Sequence, residues 1–162
     1  MRTIVVALFA LSLAGAARAD EKRVKESDVP APVLAAVAKK YPTAKKTGFS
    51  KEVENKKTTF EINLTDGAKK IEVELTPDGK IVAEEQEIAL EAVPAGVRKA
   101  LAESAKYGKW TVKKAERVVN NENEAAPNFE LLVVSGAKKA EVVFDKDGKL
   151  VKEEAKGAKD ND

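Results

Sequence analysis

From residue 60 the chain alternates between apolar and polar positions. Phe60, Ile62 and Leu64 are separated by Glu61 and Asn63, with Thr65 following. Ile71, Val73 and Leu75 alternate in the same way with Glu72, Glu74 and Thr76. A period of two predicts strands with one buried face. Gly67-Ala68 lies between the runs, and Gly at the first central position is the preference of a type II′ turn. A two-residue turn centred there pairs Leu64 with Ile71, Ile62 with Val73 and Phe60 with Leu75. Every apolar residue then meets an apolar partner, so turn chemistry and hydrophobic register agree. Pro77-Asp78-Gly79 supplies the next turn, a three-residue loop with a bulge, which brings Leu75 to face Ile81.

The whole stretch occurs twice. Residues 60–85 shifted by 69 become residues 129–154 without a gap, and 14 of the 26 positions are identical. That is an internal duplication. The turn at Gly136-Ala137 pairs Val133 with Ala140, Leu131 with Val142 and Phe129 with Phe144, and Phe144 then faces Leu150.

Upstream of each hairpin the period changes to that of a helix. Within residues 29–42, Val33, Val37 and Tyr41 fall at i, i+4 and i+8, flanked by Leu34 and Ala38. Pro30 suits the first turn, Asp28 the cap, and Pro42 ends the helix. Within residues 93–105, Val97, Leu101 and Ala105 repeat the spacing, and Gly108 marks the stop. The Val-Pro start recurs at an offset of 64, so five residues are added between helix and hairpin. The polar segment Asn120 to Asn128, with Pro127, is where they are expected. Thr47 to Glu54 and Lys109 to Val119 are the candidate first strands. The expected fold is α+β: two tandem repeats, residues 28–91 and 92–155, each with one helix packed on a four-stranded antiparallel meander sheet.

The ends read differently. Residues 1–19 have a basic start at Arg2, an apolar run from Ile4 to Ala17 broken only by Ser12, and small residues at Ala17 and Ala19. This is the pattern of a secretory signal peptide cleaved before Asp20. The run is too short for a spanning helix, so no membrane span is expected in the mature chain. Residues 20–27 read as a flexible N-terminus and 156–162 as a disordered tail. An exported protein, periplasmic or extracellular, follows.

Charge and composition then narrow the chemistry. Residues 1–19 hold Arg2 and Arg18 and no acid, so their removal leaves 27 basic against 27 acidic residues. A balanced surface exerts no long-range pull on phosphates, which argues against nucleic acid. The chain has neither Cys nor His. Disulfides, His general bases, Ser-His-Asp and Cys-His arrangements and His/Cys zinc sites are therefore excluded. No catalytic residue, metal ligand or cofactor site emerges.

The remaining motifs have plain readings. Asp145-Lys146-Asp147-Gly148 resembles the start of a calcium loop but lacks the downstream acid, and reads as a hairpin turn. Glu84-Glu85 with Glu87, and Glu153-Glu154, read as solvated strand ends that blunt an edge. Trp110, the sole Trp, is a core residue or a binding anchor. The outer sheet face differs between copies. Glu61, Asn63, Thr65, Glu72, Glu74, Val82 and Glu84 in the first become Glu130, Leu132, Val134, Glu141, Val143, Val151 and Glu153 in the second. Val143 is expected beside Val151, near Leu132 and Val134. An apolar cluster there is either covered within the chain or a contact surface for another protein or a second copy.

The pattern of Val29-Pro30, helix, Tyr41-Pro42, then hairpins carrying Phe60-Glu61-Ile62 and Asp78-Gly79-Lys80 with their second copies, resembles the PepSY-like, β-lactamase-inhibitor-like family. It covers nearly the whole mature chain, and departs from the pattern where Ala105-Lys106 stands for Tyr41-Pro42. The resemblance implies an exported, non-enzymatic tandem protein that binds or inhibits an envelope or secreted protein. The expectation is such a binding module, with Trp110, Leu132, Val134, Val143 and Val151 as candidate binding residues. The alternative is cation or small-ligand binding through surface carboxylates.

Overall fold

Two kinds of turn set the register of the sheet. In the first, Gly67 and Gly136 take φ of 61° and 58°, and Asp66 pairs with Lys69 and Ser135 with Lys138 across two-residue loops. The hairpin pairs are those the alternation predicts: Phe60–Leu75, Ile62–Val73 and Leu64–Ile71, then Phe129–Phe144, Leu131–Val142 and Val133–Ala140. In the second kind, Thr76 N donates to Lys80 O at 2.9 Å and Asp145 N to Lys149 O at 2.9 Å, closing three-residue loops. Gly79 and Gly148 have φ of 86° and 87°. They also touch the start of a helix. A Cβ on Gly79 would lie 2.6 Å from the Pro32 carbonyl oxygen, and one on Gly148 2.7 Å from that of Gly96. Only glycine meets both demands.

The structure is a computed structural model that describes residues 22–54 and 56–156. The expected signal peptide, and all of the expected tail but Lys156, lie outside the described residues. The strands are β1 (Lys22–Arg23), β2 (Lys45–Glu54), β3 (Lys57–Asp66), β4 (Lys69–Leu75), β5 (Ile81–Glu87), β6 (Thr111–Asn120), β7 (Asn128–Ser135), β8 (Lys138–Asp145) and β9 (Leu150–Lys156). The helices are α1 (Ala31–Lys40), before β2, and α2 (Ala95–Glu103), before β6. The fold is α+β, as expected. The helices start one residue after Pro30 and Pro94, which occupy the caps in place of Asp28. Tyr41 N closes the last turn of α1 on Val37 O at 2.8 Å, and Pro42 then has no N–H to continue it.

The sheet departs from the expected pair of four-stranded sheets. All nine strands form one antiparallel sheet in sequence order, because β5 pairs with β6. The first strand of that sheet lies in the segment expected to be flexible. Lys22 pairs with Lys51 and Arg23 with Ser50, and Glu26–Asp28 forms a 3-10 turn, so residues 22–28 are ordered against β2. Two backbone-paired residues suffice to dock a segment that has no hydrophobic period of its own.

Both helices cover the same face. Glu84 and Gln86 continue the α1 side of β4 and meet Val119 and Arg117, which lead through Ala115 to Leu131 and Val133 beneath α2. The core has two halves. Val33 and Val37 of α1 pack on Ile62, Val73 and Leu75. Val97 and Leu101 of α2 pack on Leu131, Val133 and Val142. Burying each such side chain contributes about 1.5–3 kcal/mol. The opposite face carries no helix among the described residues. No described helix is long and apolar enough to cross a membrane.

Candidate functional site

One extra residue in β5 and one in β9 decide which side chains reach which face. Leu75 pairs with Ile81, but Glu74 pairs with Ala83, leaving Val82 unpaired in a bulge. Phe144 pairs with Leu150 and Val143 with Lys152, leaving Val151 in the same position. A bulge reverses the alternation beyond it. The outward placement expected for Glu84 and Glu153, and the Val143–Val151 neighbourhood, are therefore corrected. Glu84 lies opposite Val73 and Glu153 opposite Val142, on the helix side. Val143 lies beside Lys152.

On the helix side each of these glutamates meets the end of a helix. Glu84 is 6% exposed. It accepts a hydrogen bond from Lys40 Nζ at 2.5 Å and another from the Tyr41 hydroxyl. Lys40 also holds Glu122, in the loop after β6, at 3.2 Å. Burial first, then the bond to Glu84, raise Tyr41 well above the usual phenol range. Burial pulls Lys40 down, but Glu84 and Glu122 outweigh it and leave its ammonium above its ordinary value. In the second copy Lys106 Nζ reaches Glu153 at 2.7 Å and lies 4.9 Å from the centre of the Tyr107 ring. Lys106, with Tyr107 beside it, holds the Glu153 carboxyl below its ordinary value. Lys106-Tyr107 thus takes the place of Lys40-Tyr41, so that Tyr107-Gly108, and not Ala105-Lys106, stands for Tyr41-Pro42. The repeated Lys-Tyr pair at an offset of 66 is the sequence signal, and a helix period taken at 64 hides it.

The helix-free face is acidic. Glutamates stand directly opposite one another at Glu61–Glu74, Glu72–Glu85, Glu87–Glu116, Glu116–Glu130 and Glu141–Glu154. Like charges in that position oppose folding. Lysines sit among them. Lys114 approaches Glu116 at 3.0 Å, Lys70 approaches Glu87 at 3.0 Å and Lys152 approaches Glu154 at 3.0 Å. Burial, then Glu61, Glu85 and Glu116, push Glu72 up to about 9. Burial, then Glu130 and Glu116, push Glu85 up to about 8. Burial raises Glu116 against the pull of Lys114. Among the described residues no three acids are grouped to hold a metal ion.

The candidate binding residues separate. Leu132 on β7 and Val143 on β8 share the helix-free face, with Val118 of β6 in the same layer and Glu130 between. Val143 and Val118 are buried, at 9% and 7% exposure. Val134 follows Leu132 toward the end of β7, opposite Lys139. Val151 is 55% exposed at the β9 edge. Trp110 lies on the helix side, where its ring meets Tyr107 edge-on, with centroids 5.2 Å apart at 87°. It packs against the α2 half of the core.

The family model for β-lactamase-inhibitor-like, PepSY-like proteins matches residues 17–83 and again residues 69–152. The chain belongs to this PepSY-like family. Its two matches report the same duplication as the repeated hairpins. A BLIP-like protein from Bacteroides fragilis has a similar structure, with a TM-score of 0.60 at 23% identity over 82% of this chain and 92% of that one. A protein from Bacteroides eggerthii, provisionally described as periplasmic, gives a TM-score of 0.64 at 23% identity over 78% and 88%. At such identities these likenesses speak for the PepSY-like fold alone. No curated protein matches the chain.

Proposed function

We propose that this PepSY-like chain is an exported, non-enzymatic module that binds another protein through the helix-free face of its sheet. The carrying observation is the row of opposed glutamates around Val118, Leu132 and Val143. Crowded carboxyls that resist ionising gain when a basic partner covers them and supplies the counter-charge. Leu132, the half-buried member of the apolar centre, supplies contact area and the acidic surround supplies orientation. The family's described likeness to β-lactamase inhibitors supports protein binding over chemistry, and so does a chain without His or Cys. Cation binding is the weaker reading, because among the described residues no three acids are grouped to hold an ion.

The test is capture from an envelope extract with the mature chain immobilised, compared with Leu132→Lys and Glu130→Lys variants. A specific partner released by salt, and lost with both variants, supports the proposal. The same partner retained by both variants, or none captured by the wild type, overturns it.

A further inference from the structure

The duplication gives β5 and β9 the same place in their copies, yet among the described residues only β5 has a strand on each side. β5 pairs with β4 and β6, while β9 pairs, among the described residues, with β8 alone. The consequence shows residue by residue. Ile81 is 8% exposed and its counterpart Leu150 is 49% exposed. The Glu84 side chain is 7% exposed and that of Glu153 is 39% exposed. Val82 O accepts from Asn121 N at 2.7 Å just past the end of β6, whereas its counterpart Val151 stands at the open edge.

The same comparison shows what the open edge is shaped to receive. Opposite Glu84, β6 places Val119, which is 2% exposed. Beside Glu153 there is instead a cleft of ≈ 230 Å³, lined by Ala100, Ser104, Tyr107, Phe144, Leu150 and Glu153. It lies on the helix side, where an incoming strand would direct the side chain that corresponds to Val119. We infer that the β9 edge and this cleft form a second binding site, which takes an extended segment of another protein as an added antiparallel strand. A β-branched aliphatic residue of that segment enters the cleft opposite Glu153. The chain's own β5–β6 junction is the template.

A second copy of the chain fits less well. An antiparallel β9–β9 pairing that sets Val151 opposite Glu153 also sets Lys152 against its own copy. The bulge and charges of β9 do not forbid strand addition, since β5 carries the same bulge and is paired. The site is separate from the helix-free face and does not depend on that reading.

The probe is a labelled synthetic peptide with the β6 sequence, residues 113–121, titrated into the full mature chain. Saturable binding is expected, with backbone NMR shifts centred on residues 150–155 and Tyr107. A peptide carrying Val119→Asp should bind at least about tenfold more weakly, the scale of losing one buried aliphatic side chain. Ala100→Leu, which fills the cleft, and Leu150→Asp, at an exposed position, should each weaken binding by a similar factor. Leu132→Lys, on the other face, should leave it unchanged. The absence of saturable binding, equal binding of the Val119→Asp peptide, or shifts confined to β1–β2 or to the helix-free face would overturn the proposal.

Discussion

Glu72 and Glu85 stand directly opposite each other on β4 and β5, half-buried on the face without helices. Burial first, then repulsion from neighbouring glutamates, holds both carboxyls up, to about 9 and about 8. A carboxyl raised in the folded state contributes stability that is complete below its unfolded pKa and lost as pH rises through the folded value. The window here runs from the ordinary carboxylate range near 4.5 up to about 8–9. The melting temperature should therefore be higher at the acid end of this window than at the alkaline end, by on the order of 5 °C. Glu72→Gln should flatten that dependence and raise the melting temperature at the alkaline end. Thermal melts across the range decide it; an unchanged slope in the variant would show that the repulsion is screened.

Gly79 and Gly148 should tolerate no side chain. Each has positive φ, and a Cβ added at either would lie less than 3 Å from a carbonyl oxygen, that of Pro32 for the first and of Gly96 for the second. Gly79→Ala and Gly148→Ala should each cost about 2–4 kcal/mol in chemical denaturation, combining backbone strain with displacement of a helix start. Gly67→Ala and Gly136→Ala, where a Cβ meets nothing within 4 Å, should cost about 1–2 kcal/mol from conformation alone. Equal losses at all four positions would remove the helix contact from the account.

The two Lys-Tyr-Glu groups should differ in weight. Glu84 is buried and bonded by Lys40 and Tyr41, so Glu84→Ala should cost about 1–3 kcal/mol by leaving the Tyr41 hydroxyl without its acceptor and Lys40 with Glu122 alone. Glu153 is open to solvent, and Glu153→Ala should barely move the melting temperature. A comparable loss from both would mean that burial by β6 is not what separates them.

Val143 and Val151 should separate in the same way. Val143→Thr places a hydroxyl at a 9% exposed position and should cost about 1 kcal/mol, while Val151→Thr at 55% exposure should stay within about 0.5 kcal/mol. The pair of melts tests the bulge directly, because an unbulged β9 would set the two side by side.

Calcium at millimolar concentration should leave the melting temperature unchanged. Carboxylates spread along the strands do not make the converging oxygen cage a calcium ion needs. A rise that saturates with calcium would revive the cation reading through ligand linkage.

The local pattern is enough for the two helices, strands β2 to β9 and every predicted pair across the β3–β4 and β7–β8 hairpins. Those features rest on neighbours close in the chain: alternation, a Gly at the turn, a proline at a helix end. The candidate site is less legible. Alternation puts Leu132 and Val143 on the face where the structure has them, but it shows only half of the acidic row, because Glu85, Glu87 and Glu116 reach that face through the bulge at Val82 and the β5–β6 seam. Trp110 stands out in the sequence without a location, and the edge cleft leaves no trace in the order of residues.

The sequence by itself determined an α+β duplication with fixed hairpin registers, since a one-residue slip would turn every apolar side chain outward. Only the tertiary structure decided that the copies join edge to edge, that single extra residues at Val82 and Val151 turn Glu84 and Glu153 inward, and that β9 is left open where β5 is covered. The physical reason is one of range. Turn geometry and alternation act over a few residues, whereas a bulge and an open edge are settled by which distant strand and helix end the backbone and carboxylates find.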